Sequence, residues 1–282
     1  MSNILQALVR IAENYQTNIM TITDGNNRMN NMGEGLENYI KYVFADALHE
    51  EDTTIRKGKI NQTFSYTGNK NNPPDMILKG GDAIEVKKIQ SPSSNLQLNS
   101  SHPKAKLHCD NPKINKACRV CETWEEKDLI YSIGYVKEKK LLSLWMVYGD
   151  CYAAEETTYT KVENRIKDTL SQIDDLEVNQ DTNELSGIKN VDPLGITYLR
   201  IRGMWIIENP NKVYNYLYQT DPDAPFQLIA LMRTEKYLSF PNDDRRSIET
   251  HKLLAIKDVK IEDPNNPAKL LDAKLITYKV AS

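Results

Sequence analysis

No stretch of this 282-residue sequence is long and apolar enough to cross a bilayer. The most apolar run, Leu141-Leu142-Ser143-Leu144-Trp145-Met146-Val147-Tyr148, falls far short of the roughly 20 residues a spanning helix needs. No cleavable leader is expected either, because Gln6, Arg10 and Glu13 interrupt the apolar positions of residues 1–15. An intracellular protein without membrane contact is expected. Cysteine is scarce, with only Cys109, Cys118, Cys121 and Cys151, and a reducing compartment disfavours disulfides between them. Phe is sparse at 4 against 15 Tyr, a skew that selects no function. An excess of positive charge is lacking: 36 Lys and Arg face 39 Asp and Glu, for a net −3. That argues against a general polyanion binder, yet a basic cleft can sit on an acidic body. No internal repeat or flexible linker interrupts the chain. Residues 1–282 therefore read as one domain, with a small Cys-bearing insertion at 102–124.

What is present is a charged hairpin. Asn72-Pro73-Pro74-Asp75-Met76-Ile77-Leu78 and Asp82-Ala83-Ile84-Glu85-Val86-Lys87-Lys88 are two apolar strands joined through Gly80-Gly81. Alternation puts Ala83, Glu85 and Lys87 on one face and Ile84 and Val86 on the other. Asp75, at the entry to the first strand, can reach the same end. Two carboxylates and an ammonium at one spot suit a hard cation beside a group that orients or deprotonates water. A surface hairpin with a cross-strand salt bridge uses the same residue types. The pattern Pro74-Asp75, nine residues, then Glu85-Val86-Lys87 resembles the core of the PD-(D/E)XK nucleases.

The flanking chain predicts an α/β (α+β) fold, a mixed central sheet flanked by helices. Residues 3–15 place Ile4, Leu5, Leu8, Val9, Ile11 and Ala12 on a helical stripe. A polar loop at 17–32, with the turn signal Asp24-Gly25-Asn26-Asn27, precedes a second helix from Gly33 to about Leu48. Residues 53–67 predict a strand or hairpin. Residues 129–136 and 141–149 are apolar strands that extend the catalytic sheet. A long helix over 155–178 carries Tyr159, Val162, Ile166, Leu170 and Ile173 on one stripe. A strand region at 195–208, a strand at 226–240 running into a loop at 241–246, and one or two closing strands in 252–280 complete the reading.

Several blocks carry a closer resemblance: Glu85-Val86-Lys87-Lys88-Ile89-Gln90-Ser91, then Leu98-Asn99-Ser100-Ser101-His102-Pro103-Lys104, then Trp124 with Asp128-Leu129-Ile130-Tyr131 and Gly134. Leu144-Trp145-Met146-Val147-Tyr148-Gly149-Asp150-Cys151-Tyr152 and Trp205-Ile206-Ile207-Glu208-Asn209-Pro210 follow. In this order they resemble the NgoPII-type group of type II restriction endonucleases, over roughly residues 28–215. The resemblance implies a PD-(D/E)XK core with inserted DNA-reading loops. Asp75, Glu85 and the Val86 carbonyl would hold Mg2+, and Glu37 would help from the preceding helix, with Glu34 in reserve. Lys87 would position or activate the attacking water, leaving a 5′-phosphate and a 3′-hydroxyl. It implies the palindrome GGCC, and a homodimer with one site per strand of double-stranded DNA. A cognate DNA methyltransferase would be the functional companion, in the cytoplasm of a prokaryotic cell. By its own spacing Glu37 reads as a solvated partner of Lys41.

Candidate DNA contacts are Gln90, Gln97, Asn99, Ser100, Ser101 and Lys104 in an aperiodic polar segment, with Arg200, Arg202, Arg245 and Arg246. Amides, hydroxyls and cations are the groups that meet phosphates and base edges. A solvated loop and a cationic edge that discourages aggregation use the same residues. Cys109, Cys118 and Cys121, with His102 or His108, have partial zinc-site character; three reduced cysteines in a loop fit as well. Cys151 reads as a core residue. Two other functions stay open. One is a PD-(D/E)XK repair nuclease that reads DNA structure. The other is a non-catalytic, zinc-stabilised DNA-binding regulator, which sits badly with an acidic triad.

Overall fold

The computed structural model describes residues 1–15, 17–19, 31–68, 72–172, 177–179 and 185–281. The Asp24-Gly25 turn and Ile173 lie outside them. Helix α1 (Ile4–Glu13) starts where the Asn3 side chain accepts from the Gln6 amide, and it buries Ile4, Leu5, Leu8 and Ile11. Helix α2 (Asn31–Phe44) begins two residues before the expected Gly33 and buries Leu36, Tyr39, Ile40, Val43 and Phe44. Arg10 fastens the two helices by donating to the carbonyls of Val43 (3.1 Å) and Phe44 (3.0 Å).

Residues 53–63 are a helix, α3 (Thr53–Thr63), where the sequence predicted a strand. Asp52 caps it by accepting from Thr54 (2.7 Å) and Ile55 (3.1 Å). No residue of α3 is buried, so there is no apolar stripe to betray its period. The expected strand survives only as β1 (Phe64–Tyr66).

The hairpin forms as read, β2 (Met76–Leu78) against β3 (Ala83–Ile89), with Met76 opposite Ile84. Next come β4 (Leu96–Gln97), β5 (Lys106–His108), helix α4 (Lys116–Arg119), β6 (Glu126–Lys137) and β7 (Lys140–Tyr148). Helices α5 (Gly149–Tyr152) and α6 (Glu156–Ser171) lead to β8 (Glu177–Asn179), β9 (Ser186–Lys189), β10 (Leu199–Ile201) and β11 (Ile206–Ile207). The chain ends with α7 (Pro210–Val213), β12 (Gln227–Arg233), α8 (Thr234–Ser239), α9 (Asn242–Glu249), β13 (Ala255–Asp263) and β14 (Asn266–Lys279). The strand expected over 226–240 thus stops at Arg233, and the loop expected at 241–246 is the start of a helix. Pro241 followed by Asp243 and Asp244 in the first turn, with Arg246 in the last, complements the helix dipole.

The main sheet runs β1-β2-β3-β6-β7-β12-β14-β13, with β5 also on β6. Pairs β3–β6 and β7–β12 are parallel and the rest antiparallel. Buried strands at its centre read as continuous apolar runs, as in β7 and β12. Helix α6 reverses expectation: its Val162 and Ile166 are exposed, and the residue it buries is Glu163. Glu163 accepts from Lys113 Nζ (2.6 Å) and Trp205 Nε1 (3.1 Å), so α6 is held by a polar face.

The hairpin turn is pinned by a buried network. Tyr148 Oη donates to Asp82 Oδ2 (2.6 Å), and Lys236 Nζ donates to Asp82 Oδ1 (2.6 Å) and Asp128 Oδ2 (2.7 Å). The same ammonium lies over the rings of Tyr148 and Phe240. One lysine of α8 therefore ties the turn before β3 to the start of β6 and the end of β7. That fixes the strand on which the charged residues stand.

Candidate active site

Asp75 sits just before β2 with its amide bonded to the Ile84 carbonyl at 3.0 Å. Its carboxylate crosses to β3 and accepts from the Val86 amide at 2.6 Å. Glu85 is buried, and its Oε1 lies 2.7 Å from Lys87 Nζ. Period-two alternation puts Glu85 and Lys87 on one face, so Asp75, Glu85 and Lys87 gather at the open end of the hairpin. Burial first, then the Glu85 charge, pushes the Asp75 carboxyl well above the usual range; the Val86 amide and Lys87 oppose this and the Glu37 charge adds to it. For Lys87, burial pulls downward, but Glu85 and then Asp75 outweigh it and hold the ammonium above its ordinary value.

Glu37 is on α2, paired with Lys41 at 3.5 Å and part-exposed, close enough for its charge to act on Asp75. Glu34 lies in the same helix with its side chain outside the described set. Among the described residues no three of His, Cys, Asp and Glu are grouped to hold a metal ion. The hairpin instead offers two carboxylates and a strand carbonyl. Mg2+ needs few protein ligands because it keeps several waters. Glu85 Oε2 is buried with no hydrogen-bond partner among the described residues, a carboxylate oxygen left for a cation. The donor set is all hard oxygen, so these residues fit Mg2+.

The zinc set does not assemble, which corrects the sequence expectation. A structural zinc site needs four closed ligands. Cys118 is buried in the core, and Cys121 lies beside it with its thiol 3.6 Å from Ser65 Oγ. Cys109 bonds through its amide to Glu125. His102 is elsewhere, stacked on Tyr159, with Nδ1 at 2.9 Å from the Pro103 carbonyl and Nε2 at 3.4 Å from Glu156.

The proposed DNA-contact residues fall into two groups. β4 pairs with β11, Gln97 opposite Ile206, while Trp205 exchanges backbone hydrogen bonds with Leu98 (2.9 Å) and Asn99 (2.8 Å). Exposed Gln97 and Asn99 therefore lie beside the segment that carries exposed Arg200 and Arg202. Gln90 is exposed just after β3, and Ser100 and Ser101 are half-buried. Arg245 and Arg246 stand apart on α9, whose Asp244 is held by Asn3 (2.7 Å) and Gln6 (3.0 Å) of the α1 end. Lys104 is buried rather than presented to a groove, and burial pulls its ammonium down to about 8.

Sequence reasoning missed two residues that shape the site. Tyr131 stands opposite Glu85 across the parallel β3–β6 pair, a neighbour that only the register reveals. Gly68 has φ +76°, and a Cβ there would lie 2.4 Å from the Asp75 carbonyl oxygen. Gly68→Ala should therefore push Asp75 out of place. Misplacing a reacting group by about 1 Å costs on the order of 100-fold, so a fall of that size in single-turnover cleavage is expected. An unchanged rate would show that Asp75 does not depend on this close approach.

A mixed sheet flanked by helices, with Asp, Glu and Lys converging at one end of a hairpin, is the restriction-endonuclease-like architecture. No solved structure matches the chain significantly. The family model described as NgoPII restriction endonuclease matches residues 2–262. The type II restriction enzyme NgoPII of Neisseria gonorrhoeae is 46% identical over 279 residues, covering 98% of this chain and 99% of that protein. The chain belongs to the NgoPII restriction endonuclease family.

Proposed function

We propose that the protein is a type II restriction endonuclease that makes Mg2+-dependent double-strand breaks at the palindrome GGCC. Membership of the restriction endonuclease family makes it a site-specific deoxyribonuclease that binds DNA. GGCC rests on the family resemblance alone, while the observation that carries the Mg2+ reading is Asp75 locked to the Val86 amide beside a Glu85 oxygen without a partner. Asp75, Glu85 and the Val86 carbonyl would hold the ion, with Glu37 helping from α2. Bound there, Mg2+ would polarise the scissile phosphate and offset charge on the leaving 3′ oxygen.

The chain's own groups set the geometry. The Val86 amide fixes the Asp75 rotamer, and Glu85 Oε1 holds the Lys87 ammonium 2.7 Å away. Lys87 then orients the attacking water toward the phosphorus. Gln97 and Asn99 lie on the segment paired with β11, and Arg200 and Arg202 on the chain that leads into β11. These four are the stronger candidates for base reading, since Arg pairs twice with guanine. Arg245 and Arg246, apart on α9, suit backbone phosphates. All of this belongs to one domain spanning residues 1–282, working as a homodimer on a two-fold site in the bacterial cytoplasm beside a companion methyltransferase. No helix among the described residues is long and apolar enough to cross a membrane.

Metal removal tests this reading. Protein treated with chelator should leave a GGCC duplex intact, and added Mg2+ should restore cutting while a scrambled duplex stays whole. Equal cutting of both duplexes, or full activity in chelator, would refute it.

A further inference from the structure

Lys104 is only 5% exposed, yet its Nζ has no hydrogen-bond acceptor among the described residues. An ammonium has three donors and is costly to bury without acceptors. Its place in the fold says what it waits for. Tyr131 and Glu85 are opposite each other on neighbouring parallel strands, so their side chains leave the same face of the sheet. Tyr131 Oη accepts from the Lys104 amide (2.8 Å) and donates to the Lys104 carbonyl (3.3 Å). The Lys104 backbone is thereby clamped over the strand next to Glu85.

Three carboxylates act on this ammonium, Glu156 most strongly, then Glu163, then Glu85. Glu163 Oε1 already accepts from Lys113 Nζ and Trp205 Nε1. Glu156 Oε1 is already taken, accepting from Asn111 Nδ2 at 3.0 Å and lying 3.4 Å from His102. Glu85 Oε2 is likewise buried without a partner among the described residues. A cation and a carboxylate oxygen, both buried and both unmatched, frame a place for a ligand that brings anionic oxygens and can share a metal ion. A phosphodiester does both.

We propose that Lys104 is a second active-site cation whose ammonium binds a non-bridging oxygen of the scissile phosphodiester. The assignment rests on the nuclease reading above. It goes beyond that reading by moving Lys104 from the DNA-reading loop into the catalytic centre. It also gives the loop a physical link to the chemistry. Gln97 and Asn99 face outward from the segment that Lys104 ends, so engaging bases there and seating the phosphate are movements of one short piece of chain.

The test is Lys104→Met, which keeps the length of the side chain and removes the charge. Losing an unmatched buried ammonium should not lower the melting temperature, whereas the single-turnover cleavage rate should fall roughly 10²–10³-fold, as when one preorganised donor is removed. A structural role would not predict the next result. With Ca2+ in place of Mg2+, a duplex bearing a neutral methylphosphonate at the cut linkage should weaken wild-type binding several-fold more than it weakens Lys104→Met. Near wild-type cleavage by Lys104→Met would overturn the proposal. So would an equal methylphosphonate penalty in both proteins, or a variant that fails to fold, since either makes Lys104 a structural residue. Asp75→Ala run alongside separates the cases: if it also cuts, the nuclease reading itself fails.

Discussion

Asp75→Ala, Glu85→Ala and Lys87→Ala should each abolish cleavage in protein that stays folded. Removing a metal-binding carboxylate, or the group that orients water, costs several powers of ten, about 10³ or more in single-turnover rate. The fold should tolerate the changes. Asp75 and Glu85 are buried together, and burial and then the Glu85 charge raise the cost of charging Asp75, so removing Glu85 relieves Asp75 in metal-free protein. Melting in chelator should show each carboxylate variant still folding cooperatively, with the lost Val86 bond or Lys87 partner set against any relief at Asp75. Lys87→Ala should keep its affinity for cognate DNA in Ca2+. Cleavage at near wild-type rate by any of the three would remove that residue from the site.

The opposite signature is expected of Lys236→Met. Lys236 is the shared partner of Asp82 and Asp128, and the side chains of Lys236 and Asp82 are only 17% and 8% exposed. Breaking a buried pair by removing one member leaves a charge without its counterion, at a cost of about 3–5 kcal/mol. Denaturant unfolding should show a midpoint lowered by a difference of that order. Cleavage per folded molecule should change little, because the network lies at the turn while Asp75 and Lys87 lie at the open end. A stability change under about 1 kcal/mol, the range typical of exposed pairs, would show that the network is not holding the turn. The two sets of variants thus separate the chemistry of the hairpin from its support.

The hairpin was legible because two independent local signals agree there. Alternation sets the faces of β3, and Gly80-Gly81 sets the turn, so Glu85 and Lys87 are brought together by local geometry alone. Helices α1 and α2 were legible through apolar stripes that the core does bury. Helix α3 was not, because it buries nothing and its Thr and Ile content favours a strand on propensity. Helix α9 was hidden because Pro, Asn and Asp serve turns and helix starts alike. Helix α6 was found, yet Val162 and Ile166 of its stripe face outward, since Tyr159 packs on His102 and Trp205 and Glu163 docks it through Lys113 and Trp205.

The site shows the same division. Asp75, Glu85 and Lys87 converge within one supersecondary unit, and the Val86 amide bond to Asp75 follows from that pairing. Lys104 and Tyr131 reach the site through the register of β3 with β6, a parallel pair closed over a long crossover that no local pattern encodes. Cysteine spacing misled for a related reason. Cys118 and Cys121 share a turn, but Cys109 and His102 are placed by β5 and α6 and go elsewhere.

The most direct measurement is digestion of a fully sequenced plasmid by the purified protein with Mg2+, followed by sequencing of every fragment end. The expected result is a complete, finite set of ends that all fall at the same position within GGCC. Each end should carry a 5′-phosphate and a 3′-hydroxyl, and Asp75→Ala should produce no ends. Ends scattered over unrelated sequences, ends gathered at junctions or damaged sites, or the same ends from Asp75→Ala would contradict it.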